Sequence, residues 1–164
     1  GGSGIRIGEK LWKKYCNDYG VDYEGKLSGD ATAANTYFKS GSAGYRPRAI
    51  FADMTTEDLE FVQSFELKNL FNKNLFKSGS KDKGNWASGH YTEGAEIVDT
   101  ILGDIRIQAE ACDNLQGIML YNSFSGSAGG GLGSLIASQL KRGFSKTPII
   151  GTHIVQDQEM SFIS

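Results

Sequence analysis

The stretch GIMLYNSFSGSAGGGLGSLIASQL, residues 117–140, constrains this chain more than any other. Its first seven residues carry too few polar breaks for a half-exposed strand, so 117–123 reads as a strand buried on both faces. Leu132, Leu135, Ile136 and Leu140 mark one face of a helix that Gly143 can end. Between strand and helix, after Phe124, lie only small residues, Ser125 to Gly131. A strand, a glycine loop and a helix start aim several backbone N–H groups at one spot, where the helix dipole adds positive charge. An anion is welcome there without any lysine, and the hydroxyls of Ser123, Ser125 and Ser127 can donate to it. The competing reading is that the glycines only permit tight strand–helix packing. A Walker-type loop is excluded, because no Gly-Lys-Ser/Thr follows. Gly129-x-Gly131-x-x-Ser134 approaches the dinucleotide pattern, and Asp157 follows the next strand at a ribose-binding distance. A dinucleotide-dependent enzyme is therefore a weaker alternative.

Around this centre, strands alternate with helices. Ile7, Leu11, Trp12 and Tyr15 share a face of a helix over 5–19, with Gly20 placed to stop it. Residues 21–45 are polar and glycine-dotted and read mostly as loop. RAIFADM, 48–54, reads as a strand; Thr55 with Asp58 resembles a helix-start box, and Leu59, Val62 and Phe65 give a short helical face. Ile97, Ile101, Ile105 and Ala109 predict one helix over 90–112. TPIIGTHIV, 147–155, is the next strand. That order predicts an α/β fold: a parallel, Rossmann-like sheet with helices on both faces and ligands beyond the carboxyl ends of its strands. The chain start, loop 77–85 and loop 124–131 should meet at that edge.

Composition narrows the function. A net charge of −2 argues against a general nucleic-acid binder. No apolar run is long enough to span a membrane. Cys16 and Cys112 stand far apart and suit reduced thiols, with buried packing expected for Cys112. His90 and His153 lack a carboxylate at a suggestive spacing and read as structural. Trp12 and Trp86 read as core or subunit-contact anchors, and Lys77, Lys81 and Lys83 as a solvated basic loop.

The words beside the glycine loop are more specific than the loop. GNWASGHYTEGAEIVDTIL (84–102) and CDNLQG (112–117) closely resemble tubulin, as do YRPRAIFADM (45–54) and GGSGIRIGEKLW (1–12). The blocks stand in the family's order, with a shortened loop near 28–36, and the resemblance fades after Val155. It implies a structural constituent of microtubules in the cytoplasm and cytoskeleton, binding GTP or GDP with Mg2+. Its implied partners are other tubulin subunits and microtubule-associated proteins, with no nucleic acid and no membrane. In the family the acid that assists hydrolysis comes from a neighbouring subunit, so the chain alone is not expected to be a competent GTPase. The resemblance also implies that residues 1–164 are part of a nucleotide-binding domain lacking the family's first strand. A nucleotide-free, tubulin-like interaction or capping protein is the alternative from another class. HYTEGAE and the Cys112–Asp113 pair lean toward beta tubulin, whereas NTYF with RAIFADM leans toward alpha.

Carried over position by position, the implied nucleotide site comprises Gly1, Gly2, Ser3, Asp53, Gly84, Asn85, Ser123 and the run Gly126, Ser127, Ala128, Gly129, Gly130, Gly131. It departs from the family in several places. Gly2 replaces a glutamine that helps hold nucleotide and magnesium, and Ile5 and Arg6 replace polar amides. Thr55 stands where the family has an acid near the magnesium, which implies a weakened metal site. Gly84 replaces an asparagine; Ser125 and Ser127 replace glycines, Ala128 a threonine and Gly130 a serine. Losing a hydroxyl to a charged phosphate costs about 1.5–3 kcal/mol. A serine where glycine needs a positive φ costs about 1–2 kcal/mol.

Overall fold

A computed structural model describes residues 1–63 and 66–155; Phe65 and Asp157 lie outside the described residues. The elements follow the expected alternation, with shifted boundaries. Helix α1 spans Gly2–Tyr19 and ends on Gly20, whose φ of 67° is the left-handed cap expected of it. The helix starts three residues before Ile5, so Gly2 and Ser3 lie in its first turn rather than in a loop. Helix α2 (Ala31–Ala34) and β1 (Phe38–Lys39) interrupt the region read as loop, and β1 pairs antiparallel with β2 (Arg46–Pro47) just beyond it. Strand β3 is only Phe51–Asp53 and pairs in parallel with β4, Phe76–Ser78. Between them lies α3, Glu57–Gln63. The single helix predicted over 90–112 is two: α4, Trp86–Tyr91, and α5, Glu93–Glu110. The chain breaks at Thr92, with φ −118° and ψ −93°, where Gly94 abuts the Gly89 carbonyl too closely for a side chain.

Strand β5, Ile118–Ser123, runs parallel to β6, Ile149–Ile154, in register from Ile118 opposite Ile149 to Ser123 opposite Ile154. Burial on both faces fails for β5: Asn122 is its one buried residue and Met119 is 48% exposed. The cause lies in the sheet. One continuous sheet was expected; the described residues form two separate parallel pairs, β3–β4 and β5–β6. Each pair keeps an unpaired edge. Between β3 and β5 lies a cavity of 890 Å³, lined by Ile5 and Gly8 from α1, Ala52 of β3 with Ile50 just before it, and Leu120 and Tyr121 from β5. Helix α1 lies across this gap. A Cβ on Gly4 would collide with the Tyr121 carbonyl, and one on Gly8 would come 3.0 Å from the Phe51 ring.

Two cores flank the gap. The first is aromatic: Trp12 meets Tyr15, Phe38 and Phe71 edge-on at 5.4, 5.3 and 6.3 Å, and Phe51 meets Phe71 at 5.0 Å. Trp12 is thus the core anchor its helix position suggests. The second is aliphatic, built from Val98, Ile101 and Leu102 of α5 against Leu132, Ile136 and Leu140, with Met54 beneath them. Both cysteines are free; Cys16 is fully buried, which pushes its thiol up to about 11. No described helix is long and apolar enough to cross a membrane.

Candidate functional site

The glycine stretch is a helix rather than a loop. Residues Gly126–Leu132 wind as a π-helical turn that passes without interruption into α6, Gly133–Gly143. Three of its glycines, Gly129, Gly130 and Gly131, are packed too closely against neighbours to carry a side chain. A Cβ on Gly129 would collide with Ser123 Oγ; on Gly130 it would sit 2.5 Å from the Phe124 carbonyl, and on Gly131 2.5 Å from the Trp86 carbonyl. From the facing helix, Gly89 abuts the Ser127 carbonyl. The packing role weighed for these glycines is real, and it coexists with an open N-terminal turn. That turn begins at Ser125, whose side chain caps nothing. It sits at the carboxyl end of β5, where a parallel sheet places its ligands.

The strain expected at the substituted positions is absent. Ser125 has φ −101°, and among the described residues no residue other than glycine has a positive φ. The position that needs it is Gly126, at 78°, and glycine is kept there.

Of the three hydroxyls expected to serve an anion, those of Ser123 and Ser127 are engaged within the chain. Ser123 Oγ donates to the Ser125 carbonyl at 3.0 Å. Ser127, fully buried, donates its Oγ to the Asp82 carboxylate in a short hydrogen bond. Ala128 brings no hydroxyl and packs against the aliphatic core. Asn122 fixes the strand–helix corner: its Nδ2 reaches the Gly129 carbonyl at 2.7 Å, and its Oδ1 meets His153 Nδ1 at 2.8 Å.

The segment read as loop 77–85 starts in β4, which holds Lys77 and Ser78, and its remainder meets this turn through Asp82. Asn85 caps α4, its Oδ1 accepting the Ser88 N–H at 2.8 Å, and Gly84 makes the positive-φ turn before it at 72°. The lysines were read as solvated, yet Lys77 pairs with Asp104 at 2.8 Å and Lys83 with Glu93 at 3.1 Å. Asp82, between Lys81 and Lys83, turns inward to Ser127. Sequence reasoning missed it because two flanking lysines made the segment look basic. A lone acid alternating with lysines was the available signal. Both histidines are structural, as expected. His90 stacks on Trp86 at 4.5 Å and meets Ser134 Oγ at 3.0 Å; His153 stacks on Phe124 at 4.4 Å. Trp86 is 43% exposed, which removes the core reading and leaves the subunit-contact one. Cys112 is partly buried, its Sγ 3.3 Å from the Arg48 guanidinium.

The acid edge completes the site. Asp53 ends β3 almost fully buried; its Oδ1 accepts the Met54 N–H at 2.7 Å, and its Oδ2 has no hydrogen-bond partner. Burial pushes its pKa up, partly offset by the nearby Gly1 amino group and the Met54 N–H, while Asp58 and Asp82 add to the rise. The Gly1 amino group donates to the Ala52 carbonyl at 2.7 Å; burial lowers its pKa against the pull of Asp53 and Asp58. Gly2 lies against the Asp58 carboxylate, which pairs with Arg6 at 3.6 Å. Ser3 is partly exposed in the same helical turn. Thus Gly1, Asp53 and the turn 126–131 come together, Gly1 lying against Ala128 and Gly129. Gly84 and Asn85 shape the loop before α4.

Magnesium binds through one or two carboxylates, phosphate oxygens and water rather than a protein cage. Among the described residues no group of three or more His, Cys, Asp or Glu could hold a metal. The partnerless Asp53 Oδ2 fits the lesser role, and Thr55 brings no charge to it.

This geometry has close relatives in sequence. The model of the Tubulin/FtsZ family, GTPase domain, matches residues 1–161. A tubulin beta chain of Candida albicans is 35% identical over 98% of this chain and 37% of its own length. The tubulin alpha-1 chain of Arabidopsis thaliana is 36% identical over 98% of this chain and 38% of its own length. A tubulin beta-6 chain of Gossypium hirsutum is 37% identical over 86% of this chain and 33% of its own length. The chain therefore spans less than two fifths of these relatives, and alpha and beta chains stand equally near it. Since the match runs through α1, both parallel strand pairs, the loop before α4 and the glycine helix, the chain belongs to the Tubulin/FtsZ family and corresponds to its GTPase domain.

Proposed function

We propose that the chain binds guanine nucleotide, GTP or GDP, as part of a tubulin-like subunit of the cytoplasmic cytoskeleton. The observations that carry this reading are the uncapped N-terminal turn of the glycine helix at the carboxyl end of β5 and the buried, partnerless oxygen of Asp53 at the end of β3. Backbone N–H groups of Gly126 to Gly129 would meet the phosphates, and Asp53 would orient water around a bound Mg2+. When bound, that ion would neutralise phosphate charge beside the acids of this edge. Other tubulin subunits and microtubule-associated proteins are the partners this reading implies, and hydrolysis would await an acid from a neighbouring subunit. The two unpaired strand edges flanking the cavity support a further point: the chain works as part of a larger nucleotide-binding domain, with another strand between β3 and β5. Denaturing purified protein and chromatographing what it releases tests the function. Guanine nucleotide at near-unit stoichiometry is expected.

The second reading is a nucleotide-free interaction or capping protein. The internal engagement of Ser123 and Ser127 favours it. Release of no nucleotide, with the protein still pelleting with assembled tubulin, would establish it over the first.

A further inference from the structure

We infer that Phe124, braced from behind by His153, is the shelf on which the base of the bound nucleotide stacks. The inference rests on the nucleotide-site reading above and concerns the end of the ligand that the glycine helix does not hold.

Two sets of exposed aromatic rings border the glycine helix. Trp86 and Tyr91 stand beside its later part, where the Trp86 carbonyl closes on Gly131. Phe124 stands at its open end, between the last residue of β5 and Ser125, where the turn begins. Phe124, Ser125 and Gly126 are exposed in succession, so the ring and the open turn share one surface. His153, behind the ring, is exposed on the neighbouring strand. Two residues of chain span at most about 7 Å, so the ring is rooted within that distance of Gly126. A ribose bridges a comparable gap between a phosphate and its base.

The ring is held in place before any ligand arrives. The Phe124 N–H donates to the Ile154 carbonyl at 3.0 Å, and the Phe124 carbonyl lies too close to Gly130 for a side chain there. One face of the ring lies on the His153 imidazole, with centroids 4.4 Å apart and planes 23° from parallel. His153 is fixed in turn. Its Nδ1 meets Asn122 Oδ1 at 2.8 Å, and Asn122 Nδ2 reaches the Gly129 carbonyl at 2.7 Å. The stacked pair is thereby tied to the helix that would take the phosphates. A ring already ordered loses little freedom on binding. Yet Phe124 is 58% exposed. A ring stacked on one side and wet on the other offers its free face to a planar partner, and every nucleobase has a π-face to meet it. Such stacking does not choose among bases, so a preference for guanine would come from other groups.

The test uses the full chain at fixed Mg2+, with three probes in calorimetry: guanosine diphosphate, adenosine diphosphate and inorganic pyrophosphate. Phe124→Ala should weaken guanosine diphosphate at least about fivefold and pyrophosphate less than about twofold. Phe124→Trp keeps a stacking ring and should hold guanosine diphosphate within about threefold of wild type. Its added tryptophan emission should be quenched by that diphosphate and not by pyrophosphate. His153→Ala removes the ring behind Phe124 and should weaken the diphosphate alone; His153→Phe should restore it. An unchanged diphosphate affinity in Phe124→Ala, or a loss equal to that for pyrophosphate, overturns the inference while leaving the nucleotide reading intact. Wild-type protein that holds guanosine diphosphate no more tightly than pyrophosphate also overturns it, and leaves phosphate binding in place. Guanosine and adenosine diphosphates that bind equally and weaken equally in Phe124→Ala uphold the shelf and overturn the guanine reading instead. Binding of none of the three probes overturns both.

Discussion

Two sides of one site treat their polar groups in opposite ways. On the glycine helix, the hydroxyls of Ser123 and Ser127 are both spent on partners inside the chain. Facing it, at the end of β3, Asp53 is equally buried yet leaves one oxygen without a partner. A buried carboxylate oxygen without a hydrogen bond is costly, and its persistence suits a group that waits for a ligand. A buried hydroxyl already bonded to an acid suits a side that has been closed. The lesson is that departure from a family's loop sequence need not deform the backbone. It has changed who occupies the loop.

The largest expected effect tests the closed side. Gly129→Ala would drive a methyl into Ser123 Oγ, with the Ser123 carbonyl and amide 2.9 and 3.0 Å from the same point. Overpacking against backbone should cost about 3 kcal/mol in urea unfolding. Adding Ser123→Ala removes the nearest atom but not the backbone, so the double variant should recover only part of the loss. Full recovery would mean that the side chain alone, and not the strand, sets this close approach.

A smaller effect separates packing from backbone conformation. A Cβ on Gly126 would meet nothing within 4 Å, but its φ is 78°. Gly126→Ala should therefore cost about 1–2 kcal/mol through conformation alone. Losing less than half that would show that the turn can unwind to a negative φ. In that event the open N-terminal turn is less fixed than the glycines beyond it.

Much of this was legible in the sequence, and the failures have physical causes. The α1 face, its Gly20 cap, the order of strands and helices and the structural histidines followed from periodicity and residue chemistry. The break at Thr92 did not, because Ile97 to Ala109 keep a helical period whichever helix precedes them. The winding of 126–132 did not, because a run of small residues has no apolar face to give a period. The inward turn of Asp82 depends on a partner 45 residues away, which no local pattern encodes. The gap between β3 and β5 was not anticipated, because hydropathy suggested that β5 was buried on both faces of one sheet.

The smallest effect belongs to the acid edge and shows only as a dependence on pH. Burial raises the Asp53 pKa, so the folded chain holds that proton at a higher pH than the unfolded chain, whose value is about 3.9. Between those two values the folded state binds more protons, and stability falls as pH rises. The melting temperature of the wild-type chain should therefore fall as pH rises through that window. Asp53→Asn keeps the oxygen that accepts the Met54 N–H and removes the titrating charge. It should abolish that fall. A variant that melts with the wild-type profile from pH 4 to 8.5 would show that Asp53 is already neutralised within the chain, and the contrast between the two sides of the site would disappear.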